Sequence, residues 1–329
     1  MLFQNAKHPV EMKVTHLNKV KAQREQQLQL QMVNDKGLTS LISRAFTDLT
    51  KKENTKKTSK FGLFKNKIAN KNCFVLDFHG DIKATEVQQL REEISTLLTV
   101  AKAEDEVIVR LESSGGMVHA YGLAAAQLAR IKEAGLHLTV CIDKVAASGG
   151  YMMACVADKI LAAPFAVVGS IGVVAQVPNF HDLLEKHDID VEVFTAGKYK
   201  RTVTVFGENT EEDKQKFQQE LEETHKLFKD FVHKYRSSLD VEQVATGEHW
   251  YGEDAITRNL VDVLQTSDSY ILEKMTDSEL YAIQSRQKPT IAQKLGISQA
   301  AQAVVATAID KLPDALAKLE SAKMPMVKK

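Results

Sequence analysis

From residue 73 onward, short apolar runs alternate with longer stretches whose apolar residues return every three to four positions. Cys73-Phe74-Val75-Leu76-Asp77-Phe78 reads as a buried strand. A helix follows over 85–100, with Val87, Leu90, Ile94, Leu97 and Leu98 on one face. Val107 to Leu111 is a strand, Val118 to about Glu133 a helix, and Leu138-Thr139-Val140-Cys141-Ile142 a strand again. Lys159 to Ala163 is another strand, stopped by Pro164. Such alternation with short loops dictates an α/β domain with parallel pairing. In such sheets sites gather where strands end. Two successive strand ends carry glycine clusters, at 115–116 and 149–150.

Beyond Pro164, Val167 to Val174 is apolar and punctuated by glycine. The pattern gives a short helix over 178–186, a strand over 190–195 and a long charged helix over 211–237. Phe217, Leu221, Leu227, Phe228, Phe231 and Val232 are expected on the buried side of that helix. The flanks differ in character. Residues 1–36 are Gln- and Lys-rich and read as helix with a poor apolar stripe, and Leu38 to Leu49 as a short amphipathic helix. Eight lysines against one acid over 51–71 read as a basic linker, a solvated tether in preference to a lipid-binding patch. The tail is amphipathic and helical over 300–319, kinked at Pro313. The expected division is an N-terminal helical region and linker (1–71), a central domain (72–288) and a helical tail (289–329).

Zero formal net charge gives no reason to expect a nucleic-acid partner. Cys73, Cys141 and Cys155 sit in apolar contexts and read as core residues without a disulfide framework. No apolar run reaches the length that spans a bilayer, and residues 1–10 carry no secretory signal. Phosphate-loop, dinucleotide, zinc-helix and CxxC patterns are missing, and His181 and His187 are spaced as surface residues. No metal and no organic cofactor is expected.

The chemistry centres on Ser148, in Ala146-Ala147-Ser148-Gly149-Gly150. A strand entering a turn of small residues just before a helix lifts a serine hydroxyl clear of the backbone. The alternative is a tight junction whose serine merely caps the helix. A serine nucleophile needs a base. His119 follows the 115–116 turn, but the first turn of a helix suits a solvent-facing or capping role. Lys198, Lys200 and Arg201 form the other candidate group. A lysine works as a base only when neutral, which requires its pKa to fall by about three units through burial or like charge. Backbone N–H groups near Gly115 and Gly116, together with that of Gly149, offer an oxyanion hole. The Ser170 hydroxyl offers a hydrogen bond to align a lysine amine.

Six segments in order then resemble the bacterial signal peptide peptidase A family of Ser-Lys serine proteases, most closely its SohB branch. They are Glu112-Ser113-Ser114-Gly115-Gly116, the run from Asp143 to Tyr151, and Gly169-Ser170-Ile171-Gly172-Val173. Gly197-Lys198-Tyr199-Lys200-Arg201, Gly207-Glu208-Asn209-Thr210, and Gly247 to Gly252 with Leu260-Val261-Asp262 complete the set. The likeness covers about residues 72–275.

The resemblance implies a Clp protease/crotonase-like spiral of β-β-α units. It implies Ser148 as nucleophile, Lys200 as general base with Lys198 its neighbour, Ser170 as the residue that positions the lysine, and Gly115, Gly116 and Gly149 as the oxyanion hole. It further implies peptide hydrolysis in hydrophobic, unfolded, signal-peptide-like segments through an acyl-enzyme. Rings or domes are implied too, with serine and lysine drawn from one protomer or from two. Val173, Val174, Met152 and Met153 suit a pocket for such substrates. Ser114 stands where the family carries proline. Relatives normally begin with a membrane anchor facing the periplasm from the bacterial inner membrane. The expectation is that the anchor is missing here and that 1–60 is the polar stretch after it. Two rivals remain: a crotonase-type acyl-CoA enzyme and a non-catalytic ring-forming scaffold.

Overall fold

The computed structural model describes residues 10–32 and 71–287. The predicted helices over 38–49 and 300–319, and nearly all of the basic linker, lie outside the described residues. Residues Met12–Ser285 form one compact unit.

The main sheet contains β1 (Val10–His16), β2 (Asn72–Gly80), β3 (Glu106–Ser113), β4 (His137–Ile142), β6 (Lys159–Ala162), β9 (Val263–Leu264) and β10 (Glu279–Gln287). Its spatial order is β1-β10-β2-β3-β4-β6-β9. Every step from β10 to β9 is parallel. Two crossover helices, α2 (Val87–Leu97) and α3 (Val118–Glu133), join β2 to β3 and β3 to β4. Side-chain alternation along the strands feeds two cores. Leu76, Phe78, Val107, Val109, Val140 and Ile142 point into the larger core with Leu90, Ile94 and Leu128 of the helices. Val75, Ile108, Cys141 and Leu161 point the other way, against Tyr270 and Ile271. A parallel sheet buried on both faces needs such continuous apolar strands.

β3 is long enough to serve two layers. Its first half pairs with β4, while Ser113 at its end pairs with Ala146 of β5 (Val145–Ala147). β5 pairs with β7 (Val167–Gly169), which pairs antiparallel with β8 (His249–Tyr251). A strand of the main sheet, a strand of this second layer and a helix thus follow one another, as in β4, β5 and α4 (Gly149–Ala154). This is the α/β spiral of β-β-α units expected from the resemblance.

Three readings of the sequence change. β1 is a strand, followed by α1 (Leu17–Met32), where helix alone was expected. Its alternation over Val10-Glu11-Met12-Lys13-Val14 has period two, and both elements extend the sheet unit into residues 12–32. Residues 190–195 are irregular and exposed, with no neighbour strand among the described residues. The elbow is entered from β5, a short strand set apart from β4 by Asp143 and Lys144. Asp143 accepts from the backbone N–H of Ser267 at 2.8 Å, fixing that corner.

Candidate active site

β5 ends at Ala147 and α4 starts at Gly149, leaving one residue to turn the chain. Ser148 takes φ 52° and ψ −121°, a conformation costly for a residue with a Cβ. Its N–H donates to Gly169 O at 2.8 Å, and Met152 N–H donates to its carbonyl at 3.0 Å. These two bonds hold the backbone in the strained turn. The side chain makes no capping bond to α4. The capping alternative therefore fails, and the hydroxyl is left for other chemistry.

Glycines make room for this elbow. A Cβ on Gly115 (φ +89°) would come within 2.8 Å of Ser148 Cβ and 2.7 Å of Gly149 N. One on Gly149 would overlap the Tyr121 ring, and one on Gly150 the Ser113 carbonyl. Ser113 Oγ accepts from Gly115 N–H at 3.0 Å and shares a hydrogen bond with Tyr121 OH, which itself donates to Asp81 O at 2.7 Å. These bonds hold the loop with Ser114, not proline, at its second position. They also occupy the Gly115 N–H. Among the described residues the N–H groups of Gly116 and Gly149 have no backbone acceptor outside regular elements and no side-chain acceptor. Gly149, first in its helix, has no intrahelical one either.

Ser170 lies next to Gly169 and so beside the elbow, held by its N–H to Glu248 O at 2.7 Å. Gly169 is pressed by Trp250, whose ring carries Arg258 at 5.3 Å. Farther back, Arg236 forms a two-pronged pair with Asp262 at 2.9 Å on each prong, and Tyr151 OH donates to Leu260 O at 2.9 Å. These contacts tie α4 and Arg236, just past the helix over 211–235, to the segment 259–262. Burial pushes the Tyr151 hydroxyl well above the ordinary tyrosine value, so it acts as a neutral donor.

A pocket of about 200 Å³ opens beside Ser148. Gly116, Gly149, Met152, Gly172 and Val173 line it. Its remaining walls come from two helices: Val118 and Gly122 of α3, and Thr224, Leu227, Phe228 and Phe231 of α6 (Glu211–Tyr235). Of the four pocket residues expected from sequence, Met152 and Val173 are there. Met153 is fully buried in the core and Val174 is 90 % exposed. Leu227, expected in the core, is 69 % exposed at the rim. Sequence reasoning did not assign α6 to this pocket. The one available signal on α3 was a glycine in mid-helix.

The lysine loop sits elsewhere. Lys198 pairs with Glu212 at 3.0 Å, and Tyr199 lies between the ammonium groups of Lys198 (4.9 Å) and Lys216 (5.3 Å). Hydrogen bonds to Tyr199 and Glu212 raise the Lys198 pKa, which keeps that amine charged. Lys200 is exposed, and among the described residues its amine makes no hydrogen bond or ion pair. At 1.5 Å per residue, Lys216 is about 12 Å along α6 from Thr224 and about 18 Å from Phe228. Ser148, Ser170 and the glycine loop are brought together, whereas Lys200 stands on the segment held at the start of α6 and is not among the residues lining the pocket at Ser148. His119 is exposed and does not line the pocket.

The sequence matches the description "Peptidase family S49" over residues 130–281 and "Peptidase family S49 N-terminal" over residues 2–128. A "Probable protease SohB" of Haemophilus influenzae is 65% identical over 68% of this chain and 63% of its own length. Another, of Buchnera aphidicola from Schlechtendalia chinensis, is 55% identical over 66% of this chain and 70% of its own. The chain belongs to peptidase family S49, in its SohB branch. It spans about two thirds of the length of these S49 relatives. A solved 1510-N membrane-bound stomatin-specific protease mutant with a substrate peptide aligns at TM-score 0.41 and 13% identity, over 70% of this chain and 98% of that one. No helix among the described residues is long and apolar enough to cross a membrane.

Proposed function

We propose that this chain is a serine endopeptidase of the Ser-Lys type that cleaves apolar, unfolded, signal-peptide-like segments at the bacterial inner membrane, facing the periplasm. The observation that carries the reading is a hydroxyl on a strained elbow, unused as a cap, lining an apolar pocket in an S49 chain. Ser148 Oγ attacks the substrate carbonyl. Lys200 Nζ takes the hydroxyl proton and passes it to the leaving amine, and a water activated the same way releases the acyl group. The N–H groups of Gly116 and Gly149 face the developing oxyanion. Gly115 contributes shape, its own N–H being engaged. Ser170 orients the lysine. Residues 72–288 are the peptidase domain in this reading, and no cofactor takes part.

Because Lys200 does not line the pocket at Ser148, this reading takes the amine from a neighbouring copy. Burial between copies also provides the desolvation that a neutral lysine requires. The segment carrying Lys200 exposes large apolar side chains, Phe194 at 88 % among them, as a surface covered in an assembly does. Labelling with a serine-directed fluorophosphonate tests the dyad. The assembled wild type is labelled, Ser148→Ala is not, and Lys200→Ala is labelled about 10²–10⁴-fold more slowly. An unlabelled wild-type assembly overturns the reading.

A further inference from the structure

The pocket beside Ser148 holds a residue that neither its backbone nor its neighbours require. Gly122 lies within α3, has no positive φ, and a Cβ built on it meets nothing within 4 Å. A glycine inside a helix is destabilising relative to alanine. The site's other glycines differ: Gly115, Gly116, Gly149 and Gly150 each have a neighbour that a side chain would strike. At Gly122 the missing side chain leaves open space, and that space belongs to the pocket.

The size of the pocket says what enters it. About 200 Å³ is below the ~300–1,000 Å³ of a small-molecule site and suits one side chain. Gly122 of α3 and the Phe228 and Phe231 rings of α6 are among its walls. Since Ser148 and Gly149 line the pocket, a side chain held there belongs to a residue beside the attacked carbonyl. We propose that Gly122 sets the depth of this pocket. The acyl-side residue is thereby restricted to one large apolar side chain, leucine to phenylalanine in size, packed on the α6 aromatic wall. The inference rests on Ser148 being the nucleophile of a peptidase.

Gly122→Ala and Gly122→Leu test it in the full-length assembled protein. The substrates are quenched-fluorescence peptides differing only in an Ala, Leu or Phe residue before the cleaved bond. The wild type prefers Leu and Phe. In Gly122→Leu the Leu:Ala ratio of kcat/KM falls at least about tenfold, as loss of a hydrophobic pocket's fit for a few methylenes predicts. Gly122→Ala lowers the Phe:Leu ratio and raises Tm, because alanine is the better helix former. Glu133→Leu places a leucine at the exposed C-terminal end of α3, about 16 Å along the helix from Gly122, and leaves the ratios unchanged. Fluorophosphonate labelling reports the nucleophile separately. A labelled, peptide-cleaving Gly122→Leu protein with wild-type ratios overturns the pocket assignment alone. A wild type that is neither labelled nor active overturns the peptidase reading beneath it.

Discussion

Ser148 and Gly115 share one constraint: each backbone takes a conformation that the other's position makes necessary. Ser148 bears its strain because hydrogen bonds to Gly169 and from Met152 fix both sides of it. Gly115 approaches so closely that any side chain would push on the elbow. Gly115→Ala is therefore expected to cost about 1–2 kcal/mol of backbone strain and, beyond that, to displace the hydroxyl and abolish peptide cleavage. Gly135 provides the comparison. It too has positive φ (+78°), but a Cβ there meets nothing within 4 Å. Gly135→Ala should lower Tm similarly and leave cleavage intact, as thermal melts and peptidase assays on both variants would show. At this scale much was legible. Glycine pairs at strand ends marked the elbow and its facing loop, because close backbone approach selects glycine in the sequence itself. The engagement of the Gly115 N–H by Ser113 Oγ was not legible, since it depends on a side-chain rotamer.

Helices and strands were legible where burial alone shaped them. α3 runs from Val118 to Glu133 as its periodicity indicates, and α6 opens on a capping box between Thr210 and Asp213. The faces of α6 were less legible, because the rim of a pocket and the core both select large apolar residues. Only Phe228 and Val232 of that helix are fully buried. The helix α9 (Ser267–Lys274), the last among the described residues, shows what holds such an element down. Glu106, buried at the start of β3, accepts from Thr139 Oγ1 and Tyr270 OH at 2.7 Å each and pairs with Lys274 at 2.6 Å. Burial alone would raise its pKa, but the bonds from Lys274, Thr139 and Tyr270 outweigh it and hold it below the ordinary 4.5. A depressed carboxylate contributes stability above its unfolded pKa and loses it as pH falls through the folded value. Glu106→Gln is thus expected to cost about 2–4 kcal/mol at pH 7, leaving Lys274 without its counter-charge. The gap from wild type should narrow below about pH 4.5. Urea denaturation at neutral and acid pH measures both.

At the scale of the whole molecule the site is divided along α6. Glu212 and Lys216 near its start hold the loop that carries Lys200, while Thr224 to Phe231 form one wall of the pocket at Ser148. In the proposed reading the helix holds the Lys200 segment at one end and the pocket wall at the other, so the base for one Ser148 comes from another copy. No reading of residue order could show this, since spacing along a sequence does not record which copy a side chain serves. In the proposed assembly, copies joined head to tail repeat the same contact around a closed ring, and each contact then completes one site. The consequence is measurable with two inactive proteins. Ser148→Ala keeps the lysine and Lys200→Ala keeps the serine. Random co-assembly places an intact serine beside an intact lysine at about a quarter of the contacts. The mixture should therefore regain close to that fraction of wild-type cleavage, while each variant alone stays inactive. Chemical cross-linking before mixing should block the recovery. Had serine and lysine acted within one chain, no mixture of the two variants would cleave at all.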